Sequence, residues 1–186
     1  MIYDVRDDIE EVLLTEKQLS KKIKELGRRL NEDYADKDPV LIGVLKGSLM
    51  FLSDLLREVT VRCSVDFIAL SSYGDETETS GVVKMIMDLR ESIQGRHVLV
   101  VEDIVDTGLT MAYLRDNLMT RHPESFGICA LLSKPDSRQV YIDLKYEGFE
   151  IPGKFVVGYG LDFGERYRNL PYIATLKPEI YNRRKL

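Results

Sequence analysis

The chain has 186 residues, enough for one domain with a buried core that needs no disulfide or metal support. With 44% hydrophobic and 31% charged residues, its composition excludes collagen, a coiled coil and extensive disorder. Acidic residues outnumber basic residues by 31 to 26, and the net charge of −5 argues against a nucleic-acid partner. We therefore expect a single domain over residues 1–186.

The sequence offers no membrane segment and no zinc site. The longest stretch without a charged residue, residues 125–133, is far shorter than the about 20 residues of a membrane helix. The acidic N-terminal segment has no apolar signal core, so we expect a cytoplasmic protein. Cys63 and Cys129 lie far apart in apolar segments without a CxxC pair, and only two histidines accompany them. This pattern predicts two buried, reduced thiols.

The first half of the chain alternates helical and strand-like patterns. Thr15 and Gln18 have the spacing of a capping box at the start of a helix. Residues 39–45 are typical of a buried strand, and residues 49–59 of a second helix. Residues 65–73, rich in branched and aromatic side chains, predict the next strand. The first helix should bury a stripe of apolar residues at intervals of three and four: Leu19, Ile23, Leu26 and Leu30.

A polar segment separates the next two strands. Residues 74–81 carry no apolar anchor, which indicates a mobile surface loop, and residues 82–89 can form the return strand. Residues 97–104 are a continuous apolar run that ends in two acids, as expected of a central parallel strand buried on both faces.

The second half predicts one more helix, over residues 106–122, and three more strands. The strands are predicted over residues 125–133, 154–161 and 172–176. Alternating strands and helices predict an α/β fold built from βαβ units around a parallel sheet. Ligands of such sheets bind outside the carboxyl ends of the strands. Lys46 and the loops near residues 74, 103, 134 and 162 follow predicted strands, so we expect the site there.

The strongest functional motif lies in residues 98–110, where an apolar strand runs through a short loop into a helix. Gly108 lets the backbone approach a ligand closely, while Thr107 and Thr110 offer hydroxyl groups. The loop and the start of the helix also offer unpaired N–H groups. Together these groups form a cradle suited to a phosphate.

Three carboxylates accompany the phosphate cradle, namely Glu102, Asp103 and Asp106. Beside a phosphate they would repel the ligand unless they accept hydrogen bonds from sugar hydroxyls or hold a divalent cation. The alternative is that these acids and threonines only cap a helix. Their grouping at the end of a buried strand favours the functional interpretation.

Residues 102–108 closely resemble the phosphoribosyl-pyrophosphate (PRPP) binding loop of type I phosphoribosyltransferases. Segments 45–48, 71–81, 131–134 and 154–172 are similar to the matching segments of bacterial hypoxanthine–guanine phosphoribosyltransferases. The resemblance implies a central, mostly parallel sheet flanked by helices, with a small hood and a flexible loop at about residues 71–83. It also implies purine salvage, in which PRPP and hypoxanthine or guanine give IMP or GMP and pyrophosphate.

The resemblance also assigns roles around the cradle. Asp106 exchanges a proton with N7 of the purine. Glu102 and Asp103 face the ribose hydroxyls directly or through Mg²⁺, and Asp162 is a further Mg²⁺ contact. The 5′-phosphate is held by four successive residues: Thr107, Gly108, Leu109 and Thr110. Leu109 stands where some relatives have lysine, so phosphate binding should depend on backbone N–H groups.

For pyrophosphate, the resemblance implies contacts from Lys46, Gly47 and Arg168, with a non-proline cis peptide before the lysine. Ser72 and Tyr73 begin the flexible loop that closes over the site.

For the base, the resemblance implies that Lys134 donates to the 6-oxo group. Phe155 stacks on the ring, and the backbone of Val156 meets the base edge. The resemblance also implies a homodimer or homotetramer.

Each of these residues has a plainer interpretation. Lys46 can be a solvated surface lysine, and Lys134 an ordinary loop lysine. Phe155 can be part of the core, and Asp162 and Arg168 can form a surface ion pair. Two other functions also remain open: a non-catalytic regulator that binds DNA or RNA, and a phosphoribosyltransferase for a pyrimidine or xanthine.

Overall fold

The computed structural model describes residues 4–73 and 82–182. The strands of this part are β1 Ile9–Leu14, β2 Val40–Leu45, β3 Ser64–Tyr73, β4 Val82–Met87, β5 His97–Val105, β6 Ser125–Ser133, β7 Tyr146–Glu150 and β8 Ile173–Leu176. Its helices are α1 Glu16–Asp33, α2 Leu49–Glu58, α3 Leu109–Met119 and α4 Pro178–Asn182.

A six-stranded sheet in the order β4-β3-β2-β5-β6-β7 forms the centre of the molecule. Every neighbouring pair is parallel except β3 and β4, which are antiparallel. The predicted mostly parallel α/β fold is therefore confirmed. Because β2, β5 and β6 are parallel neighbours, their carboxyl ends meet at one edge of the sheet.

Helices cover both faces of this sheet. On β5, Leu99 and Val101 belong to the core beneath α1 and α2, whereas Val98 and Val100 belong to the core beneath α3. This alternation explains why the strand is a continuous apolar run, since both of its faces are buried. The predicted capping box at Thr15 is also confirmed, and the four predicted apolar residues of α1 are buried.

A small second sheet forms the hood. Strand β8 pairs antiparallel with β1 rather than with the main sheet, and the Tyr167 hydroxyl donates to the Asp8 carboxylate at 2.7 Å. The hood implied by the resemblance is thus present, but β1 was not predicted. The short strand predicted over residues 172–176 is confirmed by β8, which belongs to this hood and not to the main sheet.

Residues 154–161 do not form the predicted strand. Gly158, Tyr159 and Gly160 have φ values of 97°, 49° and 100°, which an extended strand cannot contain. A Cβ at Gly158 would lie 2.0 Å from the Tyr172 carbonyl oxygen, so this segment packs by close backbone contact. Strand β7 takes the edge position instead, and Asp162 follows an irregular segment rather than a strand.

The predicted flexible loop at residues 71–83 includes the ends of two strands. The backbones of Ser72 and Tyr73 belong to β3, and Tyr73 pairs with Val82 of β4. The remaining loop, residues 74–81, lies outside the described residues, so its predicted mobility stays a prediction.

The two cysteines differ in environment. Cys129 is buried in β6, and burial raises the pKa of its thiol to about 12. Cys63 is only partly buried, so the prediction of two buried thiols is wrong for this residue. It precedes β3 at the amino-terminal edge of the sheet, where packing is incomplete. Within the described residues, no helix is long and apolar enough to cross a membrane.

We therefore predict that iodoacetamide modifies Cys63 and not Cys129 in the native protein. Only the thiolate reacts, and burial raises the pKa of both thiols, but Cys63 is partly exposed to the reagent whereas Cys129 is 1% exposed. Mass spectrometry of peptides after labelling, with and without denaturant, measures this difference. Equal labelling of both cysteines without denaturant would contradict the packing of β6.

Candidate active site

Three functional residues predicted from sequence follow neighbouring parallel strands. Lys46 follows β2, Asp106 follows β5 and Lys134 follows β6. The structure therefore brings these residues to the same edge of the sheet, as the position of ligand sites in α/β folds predicts.

Lys134 and Asp106 contact each other directly at this edge. The Lys134 ammonium donates to Asp106 Oδ2 at 2.7 Å, and the Lys134 backbone N–H donates to the Val105 carbonyl at 3.0 Å. Lys134 is only 7% exposed, whereas the Asp106 side chain is nearly half exposed. The interpretation of Lys134 as an ordinary loop lysine is therefore wrong.

The predicted phosphate cradle begins α3. Gly108 has a φ of 86°, and a Cβ at this position would lie 2.6 Å from the Val140 carbonyl oxygen. Glycine is thus required twice, for its conformation and for its size. The Thr107 hydroxyl accepts from the Leu109 N–H at 3.4 Å, while Gly108 supplies no side chain to cap the helix. Such a helix start presents N–H donors to an anion.

Glu102 and Asp103 are both buried near the end of β5. Burial, and secondly the neighbouring Asp103, raise the pKa of Glu102 well above its usual value. Burial raises the pKa of Asp103 to about 6, against hydrogen bonds from its own and the next backbone N–H. Glu102 Oε2 has no hydrogen-bond partner among the described residues. Two buried carboxylates with raised pKa values indicate a site for positive charge.

The loop after β2 packs tightly against Asp103. The peptide bond between Leu45 and Lys46 is cis, as the resemblance implied. A Cβ at Gly47 would lie 1.8 Å from Asp103 Oδ2, and a Cβ at Gly160 would lie 2.0 Å from the Gly47 carbonyl oxygen. Both glycines are therefore needed for this contact between the loop, the acidic strand end and the segment after β7.

Arg168 and Asp162 form a partly buried pair beside this contact. One guanidinium nitrogen of Arg168 lies 2.7 Å from Asp162 Oδ1, and another donates to the Gly160 carbonyl at 2.8 Å. Asp162 and Arg168 do form an ion pair, but it is not a surface pair, since less than a third of either side chain is exposed. Arg168 Nε is buried without a partner in the described part of the chain.

Glu165 was not predicted from sequence. Its carboxylate contacts Lys46 Nζ at 2.7 Å and Arg168 at 3.3 Å, and its backbone N–H donates to Asp162 Oδ2 at 2.8 Å. The position of Glu165 between Asp162 and Arg168 was the available signal. Its contact with Lys46 spans 119 positions and has no local pattern.

Arg138 was also missed. It follows a short 3₁₀ turn, Pro135–Ser137, and donates to the Ser133 hydroxyl at 2.8 Å and the Val105 carbonyl at 3.4 Å. It thereby joins the ends of β5 and β6, the strands that precede Asp106 and Lys134. Because Arg138 lies after this turn and outside the predicted strands and helices, strand and helix periodicity gave no signal for it.

An aromatic cluster borders the site. Phe155 is 50% exposed, so its interpretation as a core residue is wrong, whereas the adjacent Val156 is buried. The Phe155 ring meets Phe163 and Tyr181 edge-on, with centroids 5.8 and 5.9 Å away. One face of the ring can therefore receive a flat ligand.

The residues expected to contact a metal are not preassembled. Within residues 4–73 and 82–182, no group of three or more His, Cys, Asp and Glu side chains is arranged to hold an ion. The side chains of Ser72 and Tyr73 lie outside the description, so their predicted roles remain predictions.

Comparisons with known proteins agree with this geometry. Residues 11–164 match the family model of the phosphoribosyl transferase domain. The chain is 51% identical over 180 residues to a hypoxanthine-guanine phosphoribosyltransferase of Mycobacterium avium, covering 94% of this chain and 89% of the relative. It is 49% identical over 177 residues to the Bacillus subtilis protein of the same name, covering 95% and 98%.

A solved structure also matches this chain. The fold matches that of a hypoxanthine phosphoribosyltransferase from Staphylococcus aureus with a TM-score of 0.92 and 48% identity, over 97% of this chain and 98% of the other. The chain therefore belongs to the phosphoribosyltransferase family.

Proposed function

We propose that this protein transfers the 5-phosphoribosyl group from PRPP to N9 of hypoxanthine or guanine, forming IMP or GMP and pyrophosphate in purine salvage. The single observation that carries the proposal is the contact between Lys134 and Asp106 at the edge of the sheet. A regulator that binds nucleic acid would need neither of these residues in this arrangement.

The contact matches one edge of a 6-oxopurine. O6 and N7 are neighbours on that edge. Lys134 has only donors and suits O6, while the Asp106 carboxylate accepts a proton from N7. As N9 bonds to the anomeric carbon, the bond from that carbon to pyrophosphate breaks, and the N7 proton passes to Asp106. Phe155 would stack on the base, and the Val156 backbone would meet its edge.

The two phosphate ends of PRPP require different groups. The 5′-phosphate suits the N–H donors and hydroxyls of Thr107 to Thr110, where Leu109 adds no charge. The pyrophosphate end suits Lys46, Gly47 and Arg168, whose positive charges and N–H donors stabilise a leaving anion. This division explains how a protein with a net charge of −5 binds an anionic substrate.

The residues near the pyrophosphate end fit Mg²⁺. Magnesium is usually held by one or two carboxylates together with water and substrate oxygens, so a complete protein cage is not needed. The ligands or ribose contacts that we propose are Asp103, Asp162 and Glu102, whose buried Oε2 has no partner among the described residues. Bound Mg²⁺ would neutralise charge on the departing pyrophosphate.

Three further properties belong to the same proposal. Residues 71–83, including Ser72 and Tyr73, would close over the site and exclude water that could hydrolyse PRPP. The protein would act as a homodimer or homotetramer. Its free cysteines suit the reducing cytoplasm.

Base selectivity tests the function. Wild-type protein should use hypoxanthine and guanine, and kcat/KM for adenine should be lower by about 10,000-fold, because a 6-amino group cannot accept from Lys134. Lys134→Ala should reduce use of 6-oxopurines without making adenine a good substrate. Pyrophosphate release measured with hypoxanthine, guanine, xanthine, adenine and uracil checks both statements. Comparable values for adenine and hypoxanthine would contradict the assignment.

Proton transfer tests the role of Asp106. We expect Asp106→Asn to lower kcat by about 100- to 10,000-fold, because an amide cannot take the N7 proton. The KM for PRPP should change little. Steady-state kinetics on a variant with an unchanged circular dichroism spectrum measures this effect, and an unchanged kcat would remove Asp106 from the chemistry.

The close packing of Gly47 tests the pyrophosphate loop. Gly47→Ala should lower kcat/KM for PRPP by about 100-fold, because the new methyl group must displace the Asp103 carboxylate or the loop. Gly153→Ala is the matched control, since its nearest contact would be an ordinary 3.5 Å from Ser137. If both variants keep wild-type kcat/KM, this packing does not matter for PRPP use.

A further inference from the structure

The carboxylate of Glu165 binds two cations from separate parts of the chain. One oxygen lies 2.7 Å from the Lys46 ammonium in the loop after β2, and the other lies 3.3 Å from the Arg168 guanidinium. Lys46 and Arg168 are the charged side chains that the proposed function assigns to pyrophosphate. The position between them is therefore already filled by an anion that belongs to the protein.

A closed turn places Glu165 there. The backbones of Phe163 and Arg166 exchange hydrogen bonds at 3.2 and 3.3 Å, and the Glu165 N–H donates to Asp162 at 2.8 Å. Glu165 itself has a φ of 62°, a conformation uncommon for residues other than glycine. The hydrogen bonds of the turn therefore fix the backbone position from which the Glu165 side chain extends.

We propose that Glu165 is an internal stand-in for pyrophosphate: its carboxylate occupies Lys46 and Arg168 in the free protein and is displaced when the pyrophosphate group of PRPP binds. This inference rests on the proposed function. Carboxylate and phosphate oxygens are interchangeable partners for guanidinium and ammonium groups, since both are anionic acceptors. Glu165 is thus a further residue that determines affinity for PRPP and for the product pyrophosphate.

The two contacts differ in a way that permits exchange. Lys46 and Glu165 have side chains that are 66% and 64% exposed, so their ion pair is screened by water and weak. Arg168 is 24% exposed and keeps its other bonds to Gly160 and Asp162 when Glu165 leaves. The hydrogen bond from Lys46 holds the pKa of Glu165 below its usual value, so the carboxylate is charged at neutral pH.

Glu165 would affect both the binding of PRPP and the release of pyrophosphate. Before PRPP binds, the Glu165 carboxylate occupies Lys46 and Arg168. After transfer, the returning carboxylate competes with pyrophosphate for the same two cations. Loss of Glu165 should therefore strengthen pyrophosphate binding and slow its release, while the affinity for the purine stays constant.

Direct titration with magnesium pyrophosphate, by calorimetry on the full-length protein, tests the stand-in. We expect Glu165→Gln to bind about two- to five-fold more tightly than wild type, because the competing carboxylate is held by two weak contacts, to Lys46 and to Arg168. The KM for PRPP should fall by a similar factor, with an unchanged KM for hypoxanthine. Glu124→Gln is the matched control, because Glu124 is exposed next to the amino end of β6, at the opposite edge of the sheet.

Glu165→Asp distinguishes direct contact between the carboxylate and the two cations from electrostatic repulsion of pyrophosphate by the carboxylate. Aspartate keeps the charge and tolerates the left-handed backbone, but it is one methylene too short to contact both cations. It should bind pyrophosphate as tightly as Glu165→Gln does. Wild-type affinity in Glu165→Asp, or in both variants, would overturn the stand-in.

Wild-type turnover of hypoxanthine and PRPP, measured on the same preparation, separates this inference from the proposed function. Normal turnover with equal pyrophosphate affinity in wild type and Glu165→Gln contradicts the stand-in alone. If wild type neither turns over substrate nor binds pyrophosphate, the proposed function fails, and the stand-in fails with it.

Discussion

The ion pair between Lys134 and Asp106 is the interaction on which the rest of the site depends. A buried ammonium without a partner is costly, and Asp106 supplies that partner from the neighbouring strand end. Under the proposed function, a 6-oxopurine would replace each half of the pair, with O6 accepting from Lys134 and N7 donating to Asp106. The Lys134 donor and the Asp106 acceptor would therefore select a ligand that carries a neighbouring acceptor and donor. Arg138 supports the pair by joining the ends of the strands that precede both residues.

At the proposed pyrophosphate end, too, cationic side chains contact an anionic side chain of the protein. Lys46 and Arg168 both contact the exposed carboxylate of Glu165. Glu102 and Asp103 differ, since they are buried acids whose pKa values are raised by burial. The proposed function would bring positive charge to these two acids with magnesium, which would suit a site rich in carboxylates.

Sequence patterns predicted the strands and helices that are determined by residues close together in the sequence. The continuous apolar run of β5 and the glycine after it predicted the central strand and the start of the helix that we propose as the phosphate cradle. Residues 154–161 have the composition of a strand, but the positive φ values at Gly158 and Gly160 come from close contacts with distant backbone. Strand β1 carries acidic residues and pairs with a strand at the other end of the chain, so no local pattern reveals it. Glu165 was missed for the same reason, because its partner Lys46 is 119 positions away.

A double-mutant cycle on Lys134 and Asp106 tests most directly whether these two residues act on one purine as a unit. The cycle compares kcat/KM for hypoxanthine in wild type, Lys134→Ala, Asp106→Asn and the double variant. Residues that act together are strongly non-additive, so the double variant should be little worse than the poorer single variant. Additive losses, with the double variant reduced by the product of the two single effects, would contradict a shared role in binding and activating the base.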